Sequence, residues 1–319
     1  MKVCVLDAMT VGSDIDLSPL NDCGEVVIYD LTAPDEVAER IKEVDVVITN
    51  KVFLNESNLK EASNLKMIAL FATGYNNIDI EYAKKRGIAV ANVAGYSTES
   101  VAQHTFAMLL HMIEHLGEYD AYVKSKAYAE SQTFTYIAWP FNEIRGKRLG
   151  IIGLGEIGKA VARIGEAFGM EIAYYSTSGQ NNSGVGYERL ELEDLLKTSD
   201  VVTIHAPYNS KTHELIGYEQ MKQMKSSAYL LNLGRGRIVV EKDLARALNE
   251  GLIAGAGLDV LENEPITKEN PLFTVKEQNK LLITPHIAWA SVEARRVLIK
   301  EVVANIKAYE TGILRNRIV

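Results

Sequence analysis

Cysteine is scarce in this chain. Two cysteines, Cys4 and Cys23, occur in 319 residues, and they form no CxxC pair. A chain of this length buries about three quarters of the surface that its unfolded form exposes, so its core needs neither a disulfide nor a structural metal. We therefore expect both cysteines to stay reduced thiols in a cytosolic protein.

Long charged runs and long apolar runs are also missing. The 34 basic and 42 acidic residues leave a net charge of −8, and neither sign is concentrated in one segment. Such a chain has no field to collect nucleic acid or anionic lipid. The N-terminal segment reaches Asp7 before an apolar run of signal-peptide length, and no segment approaches membrane-spanning length. We expect a cytoplasmic protein without nucleic-acid or membrane partners, in which the glycosylation sequons at Asn55 and Asn181 have no chemical consequence.

What is present is an ordinary soluble composition, 47% hydrophobic and 24% charged, with enough length for about two domains. Short β-branched runs alternate with amphipathic stretches, which is typical of parallel strands joined by crossover helices. The pattern predicts an α/β fold with strands at 3–6, 25–29, 45–49, 67–71 and 88–91, and a second series at 148–152, 171–175, 201–205, 228–233, 254–260 and 281–284. Helical segments are expected between the strands, for example at 35–43 and 79–86. A bridging helix at 97–116 is followed by an aromatic and polar stretch at 119–139, and a last helix is expected at 291–311.

A glycine motif follows the first strand of the second series. It reads Gly153-Leu154-Gly155-Glu156-Ile157-Gly158 and opens a helical pattern. In a dinucleotide-binding turn the first glycine allows the tight turn, the second lets the backbone approach a pyrophosphate, and the third brings helix and strand together. The helix N-terminus then offers N–H groups to the anion. The strand–turn–helix context predicts dinucleotide binding.

The end of the next strand bears on which dinucleotide is used. An NAD-selective site carries an acid about twenty residues beyond the fingerprint. Here the chain reads Ser176-Thr177-Ser178-Gly179, and no arginine or lysine follows until Arg189. The missing acid favours NADP(H) over NAD(H), the missing cation leaves the choice open, and these residues could also be no more than turn formers.

Three later strand ends carry groups suited to carbonyl reduction. Such chemistry needs a proton donor, a group that holds the donor's charge, and a cation for the substrate carboxylate. Arg235, Glu264 and His286 lie after three successive predicted strands. Each alone could be a surface ion-pair partner, a solvated loop acid or a core histidine, but the joint pattern favours a catalytic trio.

With these residues in place, the sequence resembles the D-2-hydroxyacid dehydrogenase family over essentially its whole length. The segments 72–76, 96–103 and 285–290 are most similar to the branch of glycerate dehydrogenases and hydroxypyruvate reductases. The resemblance implies two Rossmann-like or flavodoxin-like domains with parallel sheets, in which a nucleotide-binding domain is inserted in a split substrate domain. The implied boundaries are 1–98 with 288–319 for the substrate domain and 99–287 for the NAD(P)-binding domain.

The resemblance also implies roles for the trio. His286 would give a proton to the substrate carbonyl oxygen as hydride arrives at the carbon, Glu264 would hold the imidazolium, and Arg235 would bind the carboxylate and polarise the carbonyl. The substrate-binding residues implied in addition to Arg235 and His286 are Thr73, Gly74, Tyr75 and Trp289. Backbone N–H groups around Thr73 and Gly74 would contact the anion, whereas Tyr75 and Trp289 could equally do no more than pack the expected domain interface.

Further cofactor contacts follow from the same resemblance. Asp259 matches the position that faces the nicotinamide amide, and Leu233 and Gly234 would lie beneath the ring. His205, Ala206 and Pro207 match the loop that covers the adenosine side. Thr212 and Ala288 complete the implied set, which also includes the glycine motif and Ser176, Thr177 and Ser178.

A rival motif occurs on the bridging helix. His111-Met112-Ile113-Glu114-His115 fits the H-x-x-E-H pattern of a zinc peptidase, with both histidines on one helical face. No third ligand is evident, and we interpret these histidines as residues at a helix end, where a cation is favoured. We expect no metal.

The resulting hypothesis is a cytoplasmic NAD(P)-dependent reductase of small 2-keto acids, hydroxypyruvate or glyoxylate first, which makes the D-2-hydroxy acid. The alternative is a dinucleotide-sensing protein that keeps this fold and regulates a partner. The family implies a homodimer that uses the bridging region, residues 97–139.

Overall fold

The computed structural model describes residues 1–179 and 186–319. The second sequon, at Asn181, lies outside the described residues. The chain divides into two compact units, which we call unit 1 (Met1–Ser97 and Ala290–Val319) and unit 2 (Thr98–Trp289).

Parallel strands and connecting helices alternate through both units. In chain order the strands are β1 (Lys2–Val5), β2 (Glu25–Ile28), β3 (Val46–Thr49), β4 (Met67–Leu70), β5 (Ala89–Ala91), β6 (Arg148–Ile152), β7 (Glu171–Tyr175), β8 (Glu188–Arg189), β9 (Val201–Ile204), β10 (Tyr229–Asn232), β11 (Gly255–Leu258) and β12 (Leu281–Ile283). The helices are α1 (Val37–Ile41), α2 (Glu56–Leu59), α3 (Ile80–Arg86), α4 (Thr98–Ile113), α5 (Leu116–Lys124), α6 (Glu156–Ala167), α7 (Leu192–Thr198), α8 (Tyr218–Met221), α9 (Glu241–Glu250) and α10 (Val292–Glu310). The predicted α/β class is confirmed.

Unit 1, every residue of which is described, holds a parallel sheet in the order β2-β1-β3-β4-β5. Its helices have the expected capping chemistry. The Asp79 carboxylate accepts the Tyr82 N–H at the start of α3, and Gly87 ends that helix at a φ of 69°. Ser291 caps α10 in the same way, by accepting the Ala294 N–H. The last helix therefore lies in unit 1, although the chain enters it from unit 2.

A buried carboxylate occupies the point of unit 1 where the strand order reverses, between β1 and β3. Asp7 is 2% exposed and accepts the N–H groups of Asn50 and Lys51 at 2.9 and 2.7 Å, together with the Thr49 hydroxyl at 3.0 Å. Backbone donors satisfy the charge, so Asp7 fixes the loop after β3.

In the described part of unit 2, the sheet order is β12-β11-β10-β9-β6-β7-β8. Its strand order reverses between β6 and β9, which is where open parallel sheets of this type bind dinucleotides. Apolar side chains cover both faces, one packed against α7 to α9 and the other against α4 and α6. Strands buried on both faces explain why the sequence reads there as continuous apolar runs.

Every predicted strand segment overlaps a strand, but the structure differs from the sequence pattern at two places. The pattern predicts a bridging helix that runs to residue 116; α4 instead ends at Ile113, and His115 adopts a left-handed φ of 52° before α5 begins. The pattern does not predict β8, a two-residue polar strand that pairs with β7. Among the described residues, no helix is long and apolar enough to cross a membrane.

Candidate active site

The glycine motif forms a tight turn between β6 and α6. Gly153 has a φ of 94°, and a Cβ there would lie 2.9 Å from the Ala206 Cα. A Cβ on Gly158 would lie 2.3 Å from the Gly153 carbonyl oxygen, whereas one on Gly155 would meet nothing within 4 Å. The first and third glycines are therefore required by close backbone packing, and the second leaves open space in front of the turn.

The turn suits a pyrophosphate. Gly155 is the N-cap of the twelve-residue helix α6, which begins directly after β6, one of the two strands between which the strand order reverses. The first N–H groups of such a helix are available to bind an anion. Leu154 is buried, Ile157 is half-buried, and the exposed Glu156 pairs with Lys159 at 3.1 Å. The backbone and the open space at Gly155 thus fit the diphosphate of a dinucleotide.

At the end of β7, hydroxyl groups stand where an NAD-selective site has an acid. Ser176 is 5% exposed, and its Oγ lies 3.5 Å from the Ser178 Oγ. Thr177 and Ser178 line a cavity together with Pro207 from the loop after β9.

The loop after β9 is held by its own polar groups. Thr212 is fully buried, and its hydroxyl donates to the Pro207 carbonyl at 2.7 Å. This contact gives Thr212 a loop-closing role, and its predicted contact with the cofactor stays a prediction. Ala206 is buried beside Gly153, as its close approach to that glycine requires.

His205 is neutral in this environment. Its Nε2 lies 2.9 Å from the Thr203 hydroxyl, and its buried Nδ1 has no hydrogen-bond partner among the described residues. Burial lowers the pKa of His205 to about 3, because the imidazolium would lose its hydration.

Arg235 follows β10 at the same end of the sheet. Leu233 and Gly234 before it are buried, and the half-buried Arg235 donates from Nη1 to the Gly234 carbonyl at 2.7 Å. A Cβ on Gly236 would lie 1.9 Å from the carbonyl carbon of Leu261, so the Arg235 loop packs directly on the loop that follows β11.

His286 and Glu264 form a direct pair. The His286 Nδ1 lies 2.7 Å from the Glu264 Oε2, and Glu264 accepts the Leu261 N–H through its other oxygen at 3.0 Å. Because a carboxylate can only accept, Nδ1 carries the hydrogen of this bond. His286 therefore has its Nε2 available for proton transfer, and its side chain remains 24% exposed.

The loop that carries Glu264 is anchored to α9. Glu241 is 3% exposed and accepts the Glu262 N–H at 2.7 Å and the Asn270 amide at 2.6 Å. In return, Glu262 accepts the Glu241 N–H at 2.8 Å. These bonds fix the backbone on which Glu264 stands.

Asp259 organises the loop that carries His286. Its buried carboxylate accepts the N–H groups of Ile287 and Ala288, both at 2.9 Å, and the Thr284 hydroxyl at 2.7 Å. Its carbonyl accepts the His286 N–H at 2.8 Å, which helps to hold that residue at its left-handed φ of 56°. The predicted contact of Asp259 with a nicotinamide amide stays a prediction.

Helix α4 supports the same loop through two residues, His104 and Ser100, to which the sequence pattern assigns no role. The His104 Nε2 lies 3.1 Å from the Thr284 hydroxyl, and Ser100 donates to the Ala288 carbonyl at 2.6 Å. Because Thr284 gives its hydrogen to Asp259, His104 must donate to Thr284. His104 could not be found from the sequence because its partner lies far along the chain.

The remaining predicted substrate residues fall in different units. In unit 2, the Trp289 indole donates to the His286 carbonyl at 2.8 Å. In unit 1, Thr73, Gly74 and Tyr75 follow β4, and the Thr73 hydroxyl donates to the Val93 carbonyl at 2.7 Å. Any anion contact by Thr73 would therefore use its main chain, and Tyr75 is 40% exposed.

The H-x-x-E-H motif does not have the geometry of a zinc-peptidase site. His111 lies in the last turn of α4, but the helix ends before His115, so the two histidines do not share a helical face. Within residues 1–179 and 186–319, no group of three His, Cys, Asp or Glu side chains could hold a metal ion.

Comparison with known proteins is consistent with this geometry. Residues 106–288 match the family model described as "D-isomer specific 2-hydroxyacid dehydrogenase, NAD binding domain". The chain is 38% identical to a hydroxypyruvate reductase of Blautia hydrogenotrophica over 98% of each chain. It is 35% identical to a glycerate dehydrogenase of Methylorubrum extorquens, over 99% of this chain and 98% of that protein.

A solved structure is similar over the full length. It is an NADPH-dependent glyoxylate/hydroxypyruvate reductase from Sinorhizobium meliloti in complex with NADP and malonate, with a TM-score of 0.85 and 28% identity. The match covers 100% of this chain and 96% of that one.

Proposed function

Because the chain belongs to the D-isomer-specific 2-hydroxyacid dehydrogenase family, we propose that it reduces a small 2-keto acid with NAD(P)H to the D-2-hydroxy acid. Hydroxypyruvate and glyoxylate are the proposed substrates, since the similar proteins are named for them. The observation that carries the proposal is the 2.7 Å bond between His286 and Glu264. Both residues follow strands of the sheet that also carries the glycine turn, and all of these loops leave the sheet at its carboxyl-terminal edge.

His286 is the proposed proton donor. When bound, the dinucleotide supplies a hydride to the substrate carbon. The carbonyl oxygen gains negative charge at that moment, and a proton on the His286 Nε2 neutralises it. Glu264 stabilises the protonated imidazole through Nδ1 and fixes the ring orientation. In the oxidation direction, the same Nε2 takes the hydroxyl proton back.

Arg235 is the proposed binding group for the substrate carboxylate. Its guanidinium can donate two parallel hydrogen bonds to a carboxylate and attract electron density from the adjacent carbonyl. The packing of Gly236 on Leu261 supports this role, because Glu264 holds the Leu261 N–H. The other proposed substrate-binding groups are the main chain of Thr73 and Gly74 and the side chains of Tyr75 and Trp289.

Initial rates of hydroxypyruvate and glyoxylate reduction test this function. The purified protein is mixed with each keto acid and NADH or NADPH, and the loss of the reduced nicotinamide is followed. We expect turnover with at least one pair and a D-configured product. Binding of dinucleotide without reduction of any 2-keto acid would contradict an enzyme and favour a dinucleotide sensor.

We also propose a homodimer that uses residues 97–139. Large apolar side chains in and next to this region are exposed, including Phe134 at 91% and Ile137 at 75%. The rings of Tyr122 and Tyr136 stack with their centroids 3.9 Å apart and hold this segment together. A second copy of the chain would cover the exposed side chains. Light scattering should give twice the chain mass of 35.3 kDa, and an F134E/I137E double variant should give the mass of one chain.

A cytoplasmic location is the last part of the proposal. Cys4 and Cys23 are free and buried, which fits a reducing compartment. Fractionation of cells that make the protein should recover it with the cytoplasm, and recovery in an oxidising compartment would contradict this assignment.

A further inference from the structure

A cavity lies where the loops after β7 and β9 meet in unit 2. Its volume is about 340 Å³. Thr177 and Ser178 contribute from the β7 side. Pro207, Asn209, Ser210 and Lys211 contribute from the β9 side. The cavity is therefore next to Ser176, at the position where a dinucleotide's adenosine ribose would be recognised.

The cavity has the chemistry of an anion site. Among the described residues that line it, one is a lysine, three carry hydroxyl groups and none is acidic. A ribose with free 2′- and 3′-hydroxyls is normally recognised by an acid, whereas a 2′-phosphate needs a cation and hydroxyl or N–H donors. The lining thus suits the phosphate better than the unmodified ribose.

The loop holds Lys211 in a defined place. The Lys211 N–H donates to the Asn209 side-chain oxygen at 2.9 Å, and the Asn209 N–H donates to the Thr212 hydroxyl at 2.9 Å. The same hydroxyl donates to the Pro207 carbonyl at 2.7 Å. These bonds fix the main chain at Lys211. Its side chain is exposed, and among the described residues its ammonium group makes no hydrogen bond or ion pair, so it is able to bind a ligand.

We propose that Lys211 binds the 2′-phosphate of NADP(H) and sets the cofactor preference of this protein. The residues directly after β7 provide no cation, and the loop after β9 provides it instead. This inference rests on the proposed function, since it takes the glycine turn to hold a dinucleotide. It goes further by assigning the selectivity to one side chain.

Binding of nucleotide fragments tests the inference without turnover. Calorimetry compares adenosine 2′,5′-bisphosphate with AMP for the wild type and for Lys211→Met, which keeps the aliphatic stem but removes the charge. Since a charge-assisted hydrogen bond is lost, the preference for the bisphosphate should fall by about 10- to 100-fold. Lys211→Arg should keep the preference.

Lys222→Met is the matched control, because Lys222 is an exposed lysine of unit 2 that does not line the cavity. It should leave the preference unchanged. Steady-state rates should follow binding, with the kcat/KM ratio of NADPH to NADH falling in Lys211→Met by a similar factor. A preserved ratio in that variant, or a wild type that binds AMP as tightly as the bisphosphate, would overturn the inference.

The two proposals can fail separately. A wild type that prefers the bisphosphate through Lys211 but reduces no 2-keto acid would contradict the proposed function and support this inference. A wild type that reduces keto acids with NADH but binds adenosine 2′,5′-bisphosphate no more tightly than AMP would support the proposed function and overturn this inference.

Discussion

Ser176 stands at the position where dinucleotide-binding folds of this type recognise the adenosine ribose. It is buried at the end of β7 and carries a hydroxyl where a carboxylate would repel a 2′-phosphate. Its neighbour Ser178 lines the cavity that also contains Lys211. The sequence showed the missing acid but not the cation, because Lys211 reaches this place only through the pairing of β6 with both β7 and β9.

Ser176→Asp should weaken NADPH much more than NADH. A carboxylate at this position would repel the 2′-phosphate directly, and we expect kcat/KM for NADPH to fall by about 10-fold or more. Ser176→Asn is the control, since asparagine has the shape of aspartate but carries no charge. Equal losses in the Asp and Asn variants, measured by initial rates, would show that the ribose is recognised elsewhere.

At the scale of elements, the loop after β12 depends on a helix and a strand that lie far from it in the sequence. Asp259 after β11 and His104 on α4 meet at the Thr284 hydroxyl, which donates to one and accepts from the other. This arrangement keeps the Asp259 carboxylate directed at the N–H groups of Ile287 and Ala288.

Thr284→Val should lower kcat more than it raises the KM for the cofactor. Valine keeps the shape of threonine but breaks both hydrogen bonds, which loosens the loop that positions His286. A misplaced catalytic group costs rate, and we expect a loss of about 10-fold. Thr284→Ser restores the hydroxyl and should recover most of kcat. Equal rates in the Val and Ser variants would exclude this positioning role.

Some of the helices and strands can be predicted from the sequence, and others cannot. Strands buried on both faces are apolar runs, and helices with Asp79 or Ser291 caps have clear starts, so both were predictable. The short strand β8 is polar and exposed, and it is defined by its backbone pairing with β7, which the sequence pattern does not show. The end of α4 was missed because Glu114 and His115 continue a helical pattern that the backbone leaves.

For the whole molecule, the enclosed imidazole Nδ1 of one half-buried histidine links stability to pH. His205 has a folded-state pKa near 3, whereas an unfolded histidine titrates near 6.5. Between these values the unfolded chain binds one proton more, so this group's contribution to stability is complete above pH 6.5 and is lost as the pH falls.

His205→Gln should therefore reduce the acid sensitivity of the cofactor-free protein. Glutamine can keep a hydrogen bond to Thr203 but does not titrate. Between roughly pH 6 and pH 4, the wild-type unfolding free energy should fall more steeply than that of the variant, by about 1.4 kcal/mol per pH unit. Parallel curves from denaturant titrations across this range would show that His205 does not carry the effect.

The proposed activity of the whole molecule, reduction of a 2-keto acid, depends on His286 as the proton donor. The most direct measurement is the rate of hydroxypyruvate reduction by His286→Asn, made together with the affinity for NADPH. Asparagine places an amide N–H where the His286 Nδ1 stands and accepts the left-handed φ of 56°, so it can still donate to Glu264. It cannot supply an acidic proton, so we expect kcat to fall by about 100- to 10,000-fold while cofactor affinity stays nearly unchanged. A variant that keeps the wild-type rate, or whose loss comes entirely from weaker cofactor binding, would contradict the account.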